Sequence, residues 1–252
     1  MTRLLLLGGT TEASLLALDL SDAGIPTVFS YAGRTTAPVP QPLPTRIGGF
    51  GGAEGLADYL RREGITHVID ATHPFAGRIS RNAIAACALA GVPLIALERP
   101  AWAPQPGDRW ICVPDTGAAV CALPDSPARV FLAIGKQSLD SFALCPQHFY
   151  LLRLVDPPDA ALPLPRARAV IARGPFDVAG DTALLRDHAI THVVAKNAGG
   201  AGAAAKLTAA RMLGLPVIMI DRPALPPRAI AASPREVMQW LADHGAAFPR
   251  GV

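Results

Sequence analysis

Short runs of apolar residues alternate with longer amphipathic stretches along the whole chain. The runs are rich in Val, Ile and Leu and lack a strict apolar–polar alternation, which is typical of strands covered on both faces of a sheet. The pattern predicts strands at residues 4–7, 27–30, 67–70, 93–97, 130–134, 150–153, 170–172, 192–195 and 217–220. Helical patterns lie between them, as at residues 11–22, where leucines precede a stop signal at Gly24 and Pro26. Because strand–helix–strand units cross over with a right hand, we expect parallel sheets.

The second half of the chain repeats the first. ITHVIDATHPFAG begins at residue 65 and ITHVVAKNAGGAG at residue 190, an offset of 125. GVPLIALERPA at residue 91 and GLPVIMIDRPA at residue 214 follow at an offset of 123, and RLLLLGGTTEA at residue 3 pairs with RVFLAIGKQSL at residue 129. Three matched blocks in the same order, at nearly constant spacing, indicate a duplicated domain and not a solenoid of short repeats.

The predicted fold class is therefore α/β, with two similar Rossmann-like parallel-sheet domains and the active site in the cleft between them. We expect residues 1–100 to form the first domain and residues 108–224 the second, with a Pro- and Gly-rich crossing segment between them. Residues 225–252 are expected to add a C-terminal strand and a helix with proline at its first position. Where this tail packs is left open.

Composition excludes several functional classes. Half of the residues are hydrophobic and 17% are charged, so we expect a well-buried core. A net charge of +3 and an aromatic content of 6% argue against a nucleic-acid partner. The apolar run at residues 4–7 is far too short for a membrane span, and the four cysteines have neither metal-ligand spacing nor a histidine partner. We expect a soluble cytoplasmic protein with no membrane partner and no metal site.

The carboxyl ends of the predicted strands carry the candidate chemistry, because ligands of open parallel sheets bind beyond those ends. The first strand runs into Gly8 and Gly9 and then into a predicted helix. Two glycines would let the backbone approach a pyrophosphate, and the helix start offers free N–H groups and a positive dipole end. The third glycine of a G-x-G-x-x-G motif is missing, so a glycine turn without a ligand is the alternative.

The end of the second strand bears on the choice of dinucleotide. An NAD-selective site usually has an acidic residue there, whereas this chain has Ser30, Tyr31, Gly33 and Arg34. A hydroxyl and an arginine suit a ribose 2′-phosphate, which favours NADP and makes residues 1–100 the NADP-binding domain. A solvated loop arginine is the alternative. The predicted cofactor-binding residues are Gly8, Gly9, Thr10, Thr11, Glu12, Ser30, Tyr31, Gly33, Arg34, Asp70, Ala71, Thr72, His73, Pro74 and Phe75.

Basic residues follow the strands of the second domain. Lys136, Arg153, Arg173 and Lys196 stand at four successive strand ends. If they converge, they form a pocket for a ligand with several carboxylates, although single basic residues at strand ends are usually solvated. The lysine after Gly135 lacks the upstream glycine of a Walker A loop. The predicted substrate-binding residues are Lys136, Arg153, Arg173, Gly174, Lys196, Asn197, Gly199, Gly200 and Lys206.

Taken together, GGTTEA, SYAGRT, IGGFGG, DATHPFA, the IGK turn, ARGPF, the KNAGG turn and IDRP resemble the precorrin-6A reductase family of cobalamin biosynthesis. The resemblance runs from Arg3 to Pro223, and DATHPFA followed by ARGPF and the lysine–glycine–glycine turn is its most specific part. Ala198 stands where the family usually has a serine. The resemblance implies NADPH-dependent reduction of one double bond in a macrocyclic tetrapyrrole that carries many carboxylates.

Such a reduction needs a proton as well as a hydride. We rank Lys196 first as the proton donor, because a lysine desolvated among other cations loses its proton more readily, and His73 second. Solvent and the substrate itself are the alternatives, and a lone histidine is more often structural. Two other functions stay open: an NADP-binding redox sensor, and a reductase of a smaller substrate, for which the chain lacks a Tyr-x-x-x-Lys pair. Other enzymes of the pathway are the candidate protein partners.

Overall fold

The computed structural model of this chain divides into two compact units. Unit 1 consists of Met1–Pro100 together with Ala224–Val252, and unit 2 is Ala101–Pro223. The structure describes residues 2–33, 39–155, 157–158, 160–172 and 174–247, without the side chain of Gln137. Two of the predicted ligand-binding residues, Arg34 and Arg173, therefore lie outside the described residues.

Strands and helices alternate in both units. Unit 1 begins with β1 (Leu4–Leu7), α1 (Thr11–Asp22), β2 (Thr27–Tyr31), β3 (Thr45–Ile47), α2 (Gly52–Arg62), β4 (His67–Asp70), α3 (Gly77–Ala90) and β5 (Leu94–Leu97). Unit 2 contains β6 (Arg109–Val113), α4 (Thr116–Cys121), β7 (Arg129–Ala133), β8 (Phe149–Leu154), β9 (Ala167–Ile171), α5 (Val178–Asp187), β10 (His192–Lys196), α6 (Ala205–Met212) and β11 (Pro216–Ile220). The chain then returns to unit 1 with β12 (Ala229–Ala231) and α7 (Pro234–Asp243).

The sheet of unit 1 is parallel and is covered on both faces. Its strand order is β12-β5-β4-β1-β2-β3. Successive side chains of a strand point to opposite faces, so Leu4 and Leu6 of β1 join one apolar cluster with α1 and α7, whereas Leu5 and Leu7 join another with α2 and α3. Covering both faces explains why β1 is an unbroken run of leucines.

Unit 2 has the same architecture. Its six parallel strands follow the order β6-β11-β10-β7-β8-β9. The prediction of an α/β fold with two Rossmann-like parallel sheets is thus confirmed, whereas the active site in a cleft between the domains stays a prediction. The hydrophobic pattern missed β3 and β6, because these edge strands carry mostly exposed or half-exposed residues.

The C-terminal tail, whose packing the sequence left open, belongs to unit 1. β12 pairs with β5, and the backbone N–H of Glu98 donates to the carbonyl of Ala231 (2.9 Å). Ser233 caps α7 by accepting from the N–H of Glu236, and the Glu236 carboxylate accepts from the N–H of Ala232, the residue before the cap. The hydrogen bonds that the Glu236 carboxylate accepts, first from the N–H of Ala232 and then from the hydroxyl of Ser233 (2.9 Å), lower its pKa below the ordinary value.

In the part of the chain that the structure describes, none of the helices combines the length and the apolar character that crossing a lipid bilayer requires.

Leu241 tests whether the tail stabilises unit 1. It is fully buried in the cluster that joins α7 to α1 and β1. We expect Leu241→Ala to lower the free energy of unfolding by about 2–5 kcal/mol, because it removes a buried side chain and leaves a cavity. Urea unfolding monitored by circular dichroism measures the change. Leu89→Ala on α3, where the leucine is 56% exposed, is the control and should change little. Equal stabilities of the two variants would show that the tail contributes nothing.

Candidate functional site

The turn from β1 into α1 is built around Thr10. Its hydroxyl accepts from the N–H of Ala13 (3.1 Å) and donates to the carbonyl of Ala71 (2.8 Å), so it caps α1 and ties this turn to the end of β4. Thr10 was predicted to bind cofactor, but its side chain is already used by the fold. An anion could instead bind to the backbone N–H groups at the start of α1, including those of Thr11, which is exposed, and Glu12, which is half-buried.

Residues 8 and 9 of this turn are glycine for different physical reasons. A Cβ on Gly8 would lie 2.1 Å from the ring of Phe29, so this position must be glycine to let β1 pack beside β2. Gly9 has φ of 126°, a conformation that favours glycine, and a Cβ there would meet no atom within 4 Å. Of the two, Gly9 is therefore the one that leaves open space for a ligand.

The carboxylate of Glu12 faces Arg99, which follows β5. Nη1 of Arg99 donates to both carboxylate oxygens, at 3.1 and 3.0 Å. Both side chains are about one-fifth exposed, so the ion pair is partly shielded from water. Glu12 was predicted to touch the cofactor, and the structure gives its carboxylate a partner from another strand end of the same unit.

The end of β2 brings together a serine and an arginine that the sequence did not associate. The side chain of Ser30 is buried and accepts from Nη1 of Arg46 on β3 (2.8 Å). Tyr31 is also buried, and its hydroxyl donates to the carbonyl of Val39 (2.7 Å). Gly33 is exposed with φ of 76°. Arg46 immediately precedes the IGGFGG motif, but only the pairing of β2 with β3 places it beside Ser30.

The residues after β4 mostly stabilise their own turn. Asp70 is buried, and its carboxylate accepts from the hydroxyl and the N–H of Thr72, at 2.6 and 3.2 Å. Nδ1 of His73 accepts from the N–H of Phe75 (3.2 Å), so in the neutral ring the proton is on Nε2. His73 is exposed, whereas Pro74 and Phe75 are half-buried. His73 is therefore an exposed polar side chain at this edge.

Lys196 ends β10 and is half-buried. Its ammonium donates to the hydroxyl of Ser138 (3.0 Å), which lies in the short 3₁₀ turn Lys136–Ser138 after β7. Burial lowers the pKa of Lys196 below its ordinary value of 10.5. Lys136 in the same turn is exposed, and its ammonium donates to the carbonyl of Pro157 (3.1 Å). Strands β7 and β10 are parallel neighbours in the sheet, so Lys136 and Lys196, which stand at their carboxyl ends, lie at the same edge of unit 2.

Two other predicted cations are tied into the fold of unit 2. Arg153 forms an ion pair with the buried carboxylate of Asp181 and lies over the ring of Phe176, at 3.9 Å from its centroid. Lys206 is only 7% exposed; its ammonium donates to the carbonyl of Ala203 and lies 4.7 Å from the ring of Trp102. Gly174, by contrast, is exposed.

Asn197 was predicted to bind substrate, but both ends of its side chain hold Trp102. Oδ1 accepts from the N–H of Trp102 (2.8 Å), and Nδ2 donates to the Trp102 carbonyl (3.0 Å). The indole N–H of Trp102 donates to the carbonyl of Gly200 (2.8 Å), and Gly199 and Gly200 both have positive φ, of 71° and 79°. The glycines are thus required by the turn itself.

The described residues contain no group of three or more His, Cys, Asp or Glu side chains that could hold a metal ion. Unit 1 offers an open glycine turn with polar groups at the end of β2, and unit 2 offers lysines at the ends of β7 and β10. The fold and these strand ends define the class of protein: an α/β protein with two Rossmann-like units.

Comparisons with known proteins identify the family. The family described as "Precorrin-6x reductase CbiJ/CobK" matches residues 3–242. A precorrin-6A reductase of Rhodobacter capsulatus is 72% identical over 252 residues and is covered in full, as is this chain. One from Mycobacterium tuberculosis H37Rv is 43% identical, covering 96% of this chain and 98% of the relative. A solved structure named "CobK precorrin-6A reductase" superposes with a TM-score of 0.94 at 72% identity and full coverage of both chains.

The chain belongs to the precorrin-6x reductase family CbiJ/CobK. It is therefore an oxidoreductase, and reductases of this kind require a nicotinamide cofactor. The resemblance found in the sequence motifs is thereby confirmed.

Asn197 provides a test of the turn after β10. We expect Asn197→Ala to lower the free energy of unfolding by about 1–3 kcal/mol, because the backbone N–H and C=O of half-buried Trp102 lose their partners. Asn197→Asp should be worse, because a carboxylate oxygen would then face the Trp102 carbonyl. Urea unfolding followed by tryptophan fluorescence gives both values, with Gln239→Ala on an exposed face of α7 as the control. Wild-type stability of the Asp variant would contradict the described hydrogen bonds.

Proposed function

We propose that this chain uses NADPH to reduce one double bond of precorrin-6A in cobalamin biosynthesis. The observation that carries the proposal is the family match over residues 3–242, together with full-length identity of 72% to a protein named precorrin-6A reductase. A redox sensor is disfavoured, because the named relatives that match are reductases.

The carboxyl edge of unit 1 fits a dinucleotide. Gly9 leaves open space, and the backbone N–H groups at the start of α1 suit a pyrophosphate. Ser30, Tyr31, Ala32 and Gly33 supply no carboxylate at the end of β2, which favours NADPH over NADH. Bound NADPH would supply the hydride from its nicotinamide ring. We propose that His73, which is exposed, lies close to that ring.

The carboxyl edge of unit 2 suits a polyacid. Lys136 is exposed and Lys196 is half-buried, and both stand at ends of neighbouring strands. We propose that they bind carboxylates of the macrocycle, together with Arg173 and the N–H groups of the turn that contains Gly199 and Gly200. Charge-assisted hydrogen bonds from lysine or arginine to a carboxylate are stronger than neutral ones.

Lys196 is our first choice for the proton donor. Its lowered pKa brings the ammonium closer to the range in which it can release a proton. The hydroxyl of Ser138, 3.0 Å away, orients the ammonium without neutralising it. We propose that the protonated Lys196 donates to the carbon next to the one that receives hydride, with His73 as the second candidate.

Substitution of Lys196 separates proton donation from carboxylate binding. Lys196→Arg keeps the positive charge, but a guanidinium does not release a proton near neutral pH. We therefore expect Lys196→Arg to lower kcat by about 10²–10⁴-fold with a smaller change in KM for the tetrapyrrole. Lys136→Met is the matched control and should raise KM while leaving kcat nearly unchanged. Full kcat in Lys196→Arg would mean that Lys196 is only a carboxylate clamp.

The pH profile gives an independent readout of the same role. Only the protonated ammonium donates, so kcat of the wild type should fall as pH rises through the pKa of Lys196, which lies below 10.5. The Lys196→Arg variant should lack this limb. His73→Asn preserves an acceptor for the N–H of Phe75 and should reduce kcat far less; a larger loss than in Lys196→Arg would reverse the ranking.

The reaction itself is tested by incubating the purified chain with NADPH and precorrin-6A. We expect NADPH oxidation coupled to a spectral shift of the macrocycle and a product heavier by two hydrogens. Binding of both molecules without oxidation would favour a sensor, and oxidation that requires a smaller compound in place of the macrocycle would favour the other alternative.

We further propose that the natural macrocycle is metal-free. The relatives named precorrin-6A reductase are 43–72% identical, whereas a cobalt-precorrin-6A reductase of Priestia megaterium is 29% identical, covering 95% of this chain and 98% of the relative. Comparing kcat/KM for the metal-free and cobalt-bearing substrates tests this. All four cysteines are free thiols, which agrees with action in the cytoplasm, where thiols stay reduced.

A further inference from the structure

Arg46 stands in an unusual position at the edge of unit 1. It lies opposite Ser30 in the parallel pairing of β2 with β3. Nη1 donates to the hydroxyl oxygen of Ser30 (2.8 Å) and to the carbonyl of Gly48 (2.9 Å), and Nη2 donates to the carbonyl of Gly49 (3.1 Å). The guanidinium carbon lies 3.8 Å from the ring centroid of Phe50. The guanidinium is thus held in one place by three hydrogen bonds and a ring.

The partners of Arg46 are all uncharged. Within the described residues it forms no ion pair. By contrast, each of four arginines whose side chains are at most one-quarter exposed faces a carboxylate: Arg99, Arg153, Arg211 and Arg228. Burial lowers the pKa of the Arg46 guanidinium, with Tyr59 acting in the opposite direction. A partly desolvated cation with only neutral partners favours the approach of an anion.

Ser30 adds a donor to the same place. Ser30 is 4% exposed. Its hydroxyl oxygen accepts from Arg46, and its hydroxyl hydrogen has no acceptor among the described residues. Nε–H of Arg46 and one N–H of Nη2 also have no acceptor in the described part of the chain. Three donors and one positive charge therefore lie together at the end of β2.

We propose that Arg46 and Ser30 bind the 2′-phosphate of NADPH and select it over NADH, an inference that rests on the proposed function. In Rossmann-like domains the adenine ribose lies at the end of the second strand, where an arginine can accommodate a 2′-phosphate. Room for the phosphate is provided by Gly48, Gly49 and Gly51, at each of which an added Cβ would meet no atom within 4 Å. The assignment does not depend on Arg34.

Calorimetric titration with 2′,5′-ADP and with 5′-AMP measures the selection directly, without turnover. The wild type should bind 2′,5′-ADP more tightly. In Arg46→Met, the ratio of the affinity for 2′,5′-ADP to that for 5′-AMP should fall by about 10–100-fold, the loss expected for one charged hydrogen-bonding group. The affinity of the variant for 5′-AMP should stay the same. A merely structural role of Arg46 would weaken both ligands equally. Arg62→Met on α2 is the control, since this exposed arginine lies over the same Tyr59 ring as Arg46, at 5.6 Å compared with 5.4 Å.

Two further readouts keep the test decisive if Arg46→Met unfolds. Ser30→Ala leaves the arginine in place but removes the hydroxyl donor. The preference for 2′,5′-ADP over 5′-AMP should therefore fall by about tenfold. In the wild type, affinity for 2′,5′-ADP should rise with pH through the second pKa of the phosphate, near about 6, and this rise should be smaller in Arg46→Lys, which lacks the bidentate fork.

The outcomes distinguish a failure of the NADPH proposal from a failure of the assignment to Arg46 and Ser30. A wild-type protein that binds 2′,5′-ADP and 5′-AMP equally well would overturn the choice of NADPH itself. A wild type that discriminates, together with Arg46→Met and Ser30→Ala variants that discriminate as well, would leave NADPH in place and overturn the assignment to Arg46 and Ser30.

Discussion

Leu7 of β1 lies opposite Ser30 on β2 and Asp70 on β4, and this parallel register sets where every polar group at the carboxyl edge of unit 1 lies. The N–H of Gly8 donates to the Ser30 carbonyl and the N–H of Ala71 to the Leu7 carbonyl, so the register continues into the turns. A slip of one residue would move each leucine of β1 to the opposite face and disrupt its packing against the helices on both sides of the sheet. The apolar cores on both faces therefore hold the binding edge in place. The same argument applies to β7 and β10 in unit 2, whose pairing brings two lysines to one edge.

Polar residues at these edges divide into those that build the turns and those that have donors left for a ligand. Thr10 and Asp70 accept hydrogen bonds from neighbouring backbone N–H groups, and Asn197 uses both ends of its amide. Arg153 has its charge balanced by a carboxylate. Ser30 differs, because its hydroxyl accepts a hydrogen bond and retains a donor that no described residue accepts. The type of a residue and its position after a strand do not distinguish these two groups. They are distinguished only when the hydrogen-bond partner of each donor and acceptor is identified in the structure.

Much of the fold could be predicted because it is encoded in local patterns. The fully buried runs of β1 and β4 identify central strands, and the duplicated blocks identify two similar domains. The edge strands could not be predicted, because β3 is three residues long and mostly exposed, so the pairing that makes Arg46 a neighbour of Ser30 leaves no signal in the sequence. The contact of Asn197 with Trp102 joins residues 95 positions apart and is equally invisible. The pairing of the outer strands β6 and β12 also does not follow the order of the chain. β6 follows β5 in the chain but pairs with β11, and β12 follows β11 but pairs with β5.

This exchange of outer strands has a consequence for the lysine of unit 2. The chain enters unit 2 through Trp102 and leaves it past Arg222, and both side chains bind the turn that follows Lys196. Asn197 fixes the backbone of Trp102, while Arg222 donates to the carbonyls of Asn197 (3.0 Å) and Ala198 (3.2 Å). A lysine has a long, flexible side chain that reaches water easily, so its pKa stays lowered only if its backbone is held against a buried environment. The two crossing segments therefore do more than connect the units, because they hold the residue proposed to deliver the proton.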